Sequence, residues 1–209
     1  MGAKTSMLAF VDGDAAAILK LTPQLDRDAC RAALAELFPG ERMTELSDGN
    51  LAFAYPPSKE LMIACFPGLT ILATRSIASE PSRLERRYLA YARGRTILQH
   101  VMISTVDAFA YGVWEHGELR RGLSMDSDNG LGENIGQPRP FELPYWAGEH
   151  REEDAPDNGL PFHPLDLAEA ALLDLFGYQL EGDIDPEQVD PETIPMMRFA
   201  RQTRWWKFW

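Results

Sequence analysis

The chain has 209 residues, with 32 Asp+Glu against 20 Lys+Arg, a net charge of −12 and a 45% hydrophobic fraction. That apolar fraction excludes a disordered chain, and the length suits one large domain or one domain with a tail. The acidity speaks against nucleic-acid binding, which needs a clustered positive surface.

The first element is an apolar strand over Ser6–Val11, ending at Asp12-Gly13-Asp14. Asp14 reads as the N-cap of a short helix over Ala15–Lys20. Asp26-Arg27-Asp28 opens a second helix. Cys30, Ala33, Leu34, Leu37 and Phe38 share one face of it, and Pro39-Gly40 stops it. Leu51–Tyr55, Glu60–Phe66 and Leu69–Thr74 are strand-like, the last two joined tightly at Pro67-Gly68. Pro81 starts a helix carrying Leu84, Tyr88, Tyr91 and Ala92. Thr96–Ser104, Val106–Trp114 and Leu119–Met125 then read as an antiparallel meander. Residues 126–150 read as an ordered irregular stretch, because Phe141, Tyr145 and Trp146 are costly to leave in water. Pro164 begins a strong helix with Leu167, Ala168, Ala171, Leu172, Leu175 and Phe176 on one face and Gly177 as its stop.

The charge is unevenly placed along these elements. Residues 1–148 carry −3, residues 149–192 carry −13 with Arg151 as their one base, and residues 193–209 carry +4. A near-neutral body is followed by an acidic stretch and a basic end.

Cys30 and Cys65 show neither CxxC nor zinc spacing, and both read as small core hydrophobes. The N-terminus lacks the layout of a signal peptide, and the longest apolar runs are about six residues, as in Leu61–Phe66. The expectation is a soluble cytoplasmic protein.

Several stretches resemble a family of uncharacterised, mainly actinobacterial proteins. The most specific are RGLSMDSDNGLGENIGQPRPFELPYWAGEH over Arg121–His150 and LPFHPLDLAEAALLDLFGYQLEG over Leu160–Gly182. MGAKT at Met1–Thr5, CFPG at Cys65–Gly68, Pro81–Leu84, Gly94–Thr96 and the VDAFAYGVW within His100–Trp114 add to them. The resemblance covers most of residues 1–182. It implies an intracellular bacterial protein with one integral domain, and no particular activity.

Five constellations bear on chemistry. Asp12 and Asp14 follow a strand, where paired carboxylates hold Mg²⁺ or act in phosphoryl transfer. The rest of such a site is poorly supported, and a turn with an Asp N-cap is the favoured reading. Asp126–Glu133 resembles part of a calcium loop but misses the pattern at three positions, so a polar turn is favoured. Glu142, Trp146, Glu149, His150 and His163, with Asp166, concentrate acids, histidines and aromatics, and any small-molecule pocket is expected there. The favoured reading is a loop wrapping the core. Asp107, in the strand pattern, needs a partner such as Arg120, Arg121 or His100. Arg83, Arg86, Arg87, Arg93 and Arg95 read as a solvated or internally paired face, with the acidic stretch as partner.

The end of the chain is the most unusual segment. On a helical wheel Phe199, Trp205, Trp206 and Trp209 share one face, with Arg201, Arg204 and Lys207 roughly opposite. Docking on the chain's own acidic arm, contact with a protein partner or second copy, and a membrane surface are the alternatives, in that order.

The expected fold is α+β: a single domain with an antiparallel or mixed sheet and about three packed helices over residues 1–182. An acidic Pro-bearing arm follows over 183–197, and a basic Trp-rich tail over 198–209. The leading functional expectation is a non-catalytic interaction domain with the tail as its contact element, and no metal or cofactor. The alternative is a metal-assisted hydrolase or phosphatase using Asp12 and Asp14, or a small-molecule pocket around Glu142–His163.

Overall fold

A computed structural model describes residues 2–151, 159–182 and 184–202. Its centre is a ten-stranded sheet. The strands are β1 (Lys4–Val11), β2 (Met43–Glu45), β3 (Gly49–Asn50), β4 (Glu60–Phe66) and β5 (Leu69–Ala73), then β6 (Thr96–Ile103), β7 (Ala108–Glu115), β8 (Glu118–Asp126), β9 (Gly130–Ile135) and β10 (Pro195–Arg201). The order is β2-β10-β4-β5-β1-β6-β7-β8-β9, with β3 also pairing β10, and every pair is antiparallel. The antiparallel alternative of the expected sheet is therefore the one formed.

Helices cover both faces. On β1, Met7, Ala9 and Val11 face a core with α1 (Ala15–Lys20) and α5 (Pro164–Phe176). Leu8 and Phe10 face a second core with α2 (Arg27–Leu37) and α3 (Arg86–Ala92). Period-two alternation sends successive side chains to opposite faces, so a strand covered on both sides must be apolar throughout. The continuous run in Ser6–Val11 meets that requirement. A fifth, one-turn helix, α4 (Leu143–Trp146), lies in the stretch expected to be irregular.

The caps follow the sequence. Asp14 accepts from Ala17 N–H, Asp26 from Ala29 N–H, and His163 from Leu165 N–H, and Gly177 ends α5 in the left-handed conformation. His116 and Gly117, at φ +52° and +82°, make the two-residue turn between Glu115 and Glu118.

Other expectations differ from the structure. Leu51–Phe53 is a single 3-10 turn rather than a strand, and its Leu51 side chain is buried. Residues 130–135 form β9, the sheet edge beyond β8. The strand from Pro195 to Arg201 takes in both the end of the expected arm and the start of the expected tail. Arg198 and Phe199 thus belong to the sheet, not to an amphipathic helix. Among the described residues no helix is long and apolar enough to cross a membrane.

The turn leaving β9 offers a direct test of backbone demand. Gly136 has φ +79°, and a Cβ built there would lie 1.9 Å from the Arg120 carbonyl oxygen. Gly136→Ala is expected to destabilise by more than about 2 kcal/mol, read by urea denaturation, because both the φ and the backbone contact oppose it. A change below about 0.5 kcal/mol would show that β9 is free to shift.

Candidate functional site

The stretch richest in chemistry folds around one buried ion pair. Tyr111 on β7 and Arg121 on β8 face the same side of the sheet, and Glu142 reaches them from the 3-10 turn Pro140–Glu142. Arg121 and Glu142 side chains are 2% and 0% exposed. The guanidinium binds in bidentate fashion, Nε to Oε1 at 2.9 Å and Nη2 to Oε2 at 2.5 Å. Oε1 also accepts from Tyr111 O–H and from Arg139 N–H at 2.6 Å, and Oε2 from the Trp146 indole at 3.1 Å. Arg121 Nη1 donates to Asn134 Oδ1 at 2.6 Å and to the Ile135 carbonyl at 3.0 Å.

Burial would raise the Glu142 carboxyl, but Arg121, Tyr111, Arg139 N–H and Trp146 outweigh it and hold it below the usual carboxylate value. Burial and the neighbouring carboxylate push Tyr111 well up. A carboxylate has about four acceptor positions, and five donors share this one. It clamps residues 139–146 onto the sheet and has no free lone pair for a substrate proton or a metal.

The other expected pocket residues divide into two groups. Trp146 packs edge-on to Phe162 with ring centres 5.0 Å apart, and His150 stacks on Tyr145 at 4.0 Å. Glu149 is exposed. His163 instead caps α5 and places its Nε2 3.9 Å from Asp107 Oδ2. Asp107 sits at φ +42° in the β6–β7 turn, not in a strand, and also takes the Ser127 hydroxyl at 3.4 Å. The structure thus joins Glu142 with Trp146, and His163 with Asp107. Among the described residues no group of three His, Cys, Asp or Glu side chains is disposed to hold a metal ion.

The remaining polar candidates have local partners. Asp12 and Asp14 are exposed; Asp14 caps α1, and Asp12 N–H donates to the Gly68 carbonyl at 2.8 Å. Asp126 accepts from Asp128 and Asn129 N–H, forming the β8–β9 turn. Arg83, Arg87 and Arg93 pair with Glu80, Glu85 and Glu36 rather than with the acidic stretch.

His100 on β6 is fully buried. Its Nε2 lies 2.9 Å from the Ala168 carbonyl, which can only accept, so Nε2 carries the proton. Its Nδ1 is then the acceptor for the Thr5 hydroxyl at 2.7 Å. Burial pushes this imidazole down to about 4.

An apolar groove beside β10 has no counterpart in the sequence reading. Leu34, Ala35 and Phe38 from α2 and its end, Met43 of β2 and Phe199 of β10 line it, with Arg31 and Glu41 at the rim. Its volume is about 180 Å³. Arg87 and Arg201 both lie over the Phe38 ring, at 4.7 Å each. The chain leaves β10 at this place: Gln202 N–H donates to the Arg42 carbonyl at 2.9 Å, and its Nε2 to Thr44 Oγ1 at 3.0 Å. Trp205, Trp206 and Trp209 lie outside the described residues. The groove escapes a sequence reading because its walls meet only through the pairing of β10 with β2.

These features define one α+β domain whose chemistry-bearing side chains are largely engaged in holding the fold. The chain belongs to the Family of unknown function (DUF6928), which it matches over residues 5–199. The match ends within β10, at Phe199. No curated protein and no solved structure matches the chain.

Proposed function

We propose that this protein is a cytoplasmic interaction domain, with the segment after Gln202 as its contact element and a second copy of the chain as its partner. The observation that carries this is the groove at the β10 exit. Its volume of about 180 Å³ is below the roughly 300–1,000 Å³ of small-molecule sites and suits a single large side chain. Residues 203–209 hold three tryptophans and a phenylalanine, with Arg204 and Lys207 to meet carboxylates such as Glu41 at the rim. Buried Trp anchors are the residues that most often dominate interface energy. Exchange of the segment between two copies gives a closed, two-fold dimer. The two free, buried cysteines suit a reducing compartment.

Sedimentation velocity over a concentration series tests this reading. The full chain is expected to self-associate, and a chain ending at Gln202 to remain monomeric with unchanged circular dichroism. Ala35→Arg, an exposed change at the groove wall, is expected to weaken association at least about tenfold, as is Trp206→Ala. A full chain that stays monomeric at every concentration overturns the proposal.

A further inference from the structure

Cys30 on α2 and Cys65 on β4 are both free, and the fold brings them together. Asp26 ties their backbones: its N–H donates to the Cys65 carbonyl at 2.9 Å, and its carbonyl accepts from Cys30 N–H at 3.0 Å. Cys30 Sγ lies 3.8 Å from the Ile63 carbonyl. Ile63 and Cys65, two apart on β4, face the same core as Cys30. Both side chains are buried in the core between α2 and β4.

The pair is asymmetric in access. Cys30 is 0% exposed, while Cys65, at 5%, reaches an open cleft of about 670 Å³. Asp26, Arg27, Arg31, Phe66 and Pro67 are among the residues that frame this cleft. It is asymmetric in acidity too. The neighbouring Cys30 thiol lowers the Cys65 thiol, with help from the Thr70 hydroxyl and the positive charge of Arg95, against burial and the charge of Asp26. The Cys65 sulfur, with burial, pushes Cys30 up. Cys65 lines the cleft and is the more readily ionised of the two, while Cys30 lies fully buried.

We propose that Cys65 and Cys30 form a reversible intramolecular disulfide when the protein meets a small hydroperoxide. The Cys65 thiolate attacks the terminal peroxide oxygen. The O–O bond breaks, an S–O bond forms, and the departing alkoxide or hydroxide takes up a proton. The Cys30 sulfur then attacks the Cys65 sulfenic acid. The S–S bond forms, the S–O bond breaks, and the hydroxide leaves as water with the Cys30 proton. Two thiols are oxidised by two electrons, one peroxide is reduced, and the products are a disulfide, an alcohol or water, and water. The bond fixes α2 to β4 beside the cleft. A dithiol reductant reverses it.

Hydrogen peroxide titration of the whole protein, read by intact mass and thiol labelling, tests this. The expected result is joint loss of both thiols, a mass lower by two hydrogens, an unchanged position on a non-reducing gel, and full recovery with dithiothreitol. In Cys30→Ser a dimedone probe is expected to label Cys65. In Cys65→Ser, Cys30 is expected to stay unmodified. Two thiols that remain labelable, a mass raised only by added oxygens, or a disulfide found only between chains would overturn the proposal. The wild-type measurement decides even if neither variant folds, and it does not depend on self-association.

Discussion

Arg121→Met is expected to destabilise the protein by about 3–5 kcal/mol, measured by urea denaturation, because it leaves a buried carboxylate without its cation. For a chain of this length that lowers the melting temperature by on the order of 10 °C. The magnitude comes from the geometry: side chains 2% and 0% exposed, and bidentate contacts at 2.5 and 2.9 Å. Combining Arg121→Met with Glu142→Leu is expected to recover a large part of the loss, since no charge then remains buried. Recovery stays incomplete because the Tyr111 hydroxyl, the Arg139 N–H and the Trp146 indole lose their shared acceptor. A single-variant cost below about 1 kcal/mol, or a double variant no better than Arg121→Met, would show that the carboxylate is solvated or protonated in the folded protein.

The second large effect is a loss of stability as pH falls from 6.5 towards 4, caused by His100. Burial holds this imidazole at about 4, against 6.5 in the unfolded chain. Between those values the unfolded state binds the proton and the folded state does not, so acidification favours unfolding. The contribution is fully present above pH 6.5 and is lost as pH falls through this window. At about 1.4 kcal/mol per pH unit across this window it is worth roughly 3 kcal/mol. His100→Gln has no titrating group and is expected to flatten the dependence between pH 6.5 and 4. The Glu142 carboxyl, held low, adds a separate loss at more acidic pH, below its ordinary value of 4.5. Stability curves for wild type and His100→Gln that run parallel through the window would place the titration elsewhere.

The sequence made some of this legible. Helices α2 and α5 are visible because Cys30–Phe38 and Leu167–Phe176 place apolar residues at helical spacing between caps and stops. Strands β1, β4 and β6–β8 are visible because apolar runs there are bounded by turn residues. The edges were not legible. Strand β9 reads GLGENI, whose composition matches a polar loop, and it exists because β8 offers it a partner. Strand β10 looked like the join between an acidic arm and an aromatic tail. Its side chains are apolar enough to lie between two strands, but only pairing with Leu61 and Ile63 reveals it. At the candidate site, the density of Glu142, Trp146 and His150 was visible. What holds Glu142 was not: Tyr111 and Arg121 lie on other strands, and no local spacing links them to it. The pairing of Cys30 with Cys65 was hidden for the same reason, since it depends on α2 crossing β4.

The place of β10 in the sheet has a consequence for how the chain is made. It lies between β4 and β2, so Phe199 pairs with Leu61, a residue synthesised far earlier. Until residues 195–201 leave the ribosome, β4 presents an unpaired, apolar backbone edge, the feature by which nascent strands recruit one another. Helix α2 and the β4–β5 hairpin can form during translation, but the sheet cannot close. Completion waits for β10, and termination anywhere before it leaves a sticky edge in place of a finished domain.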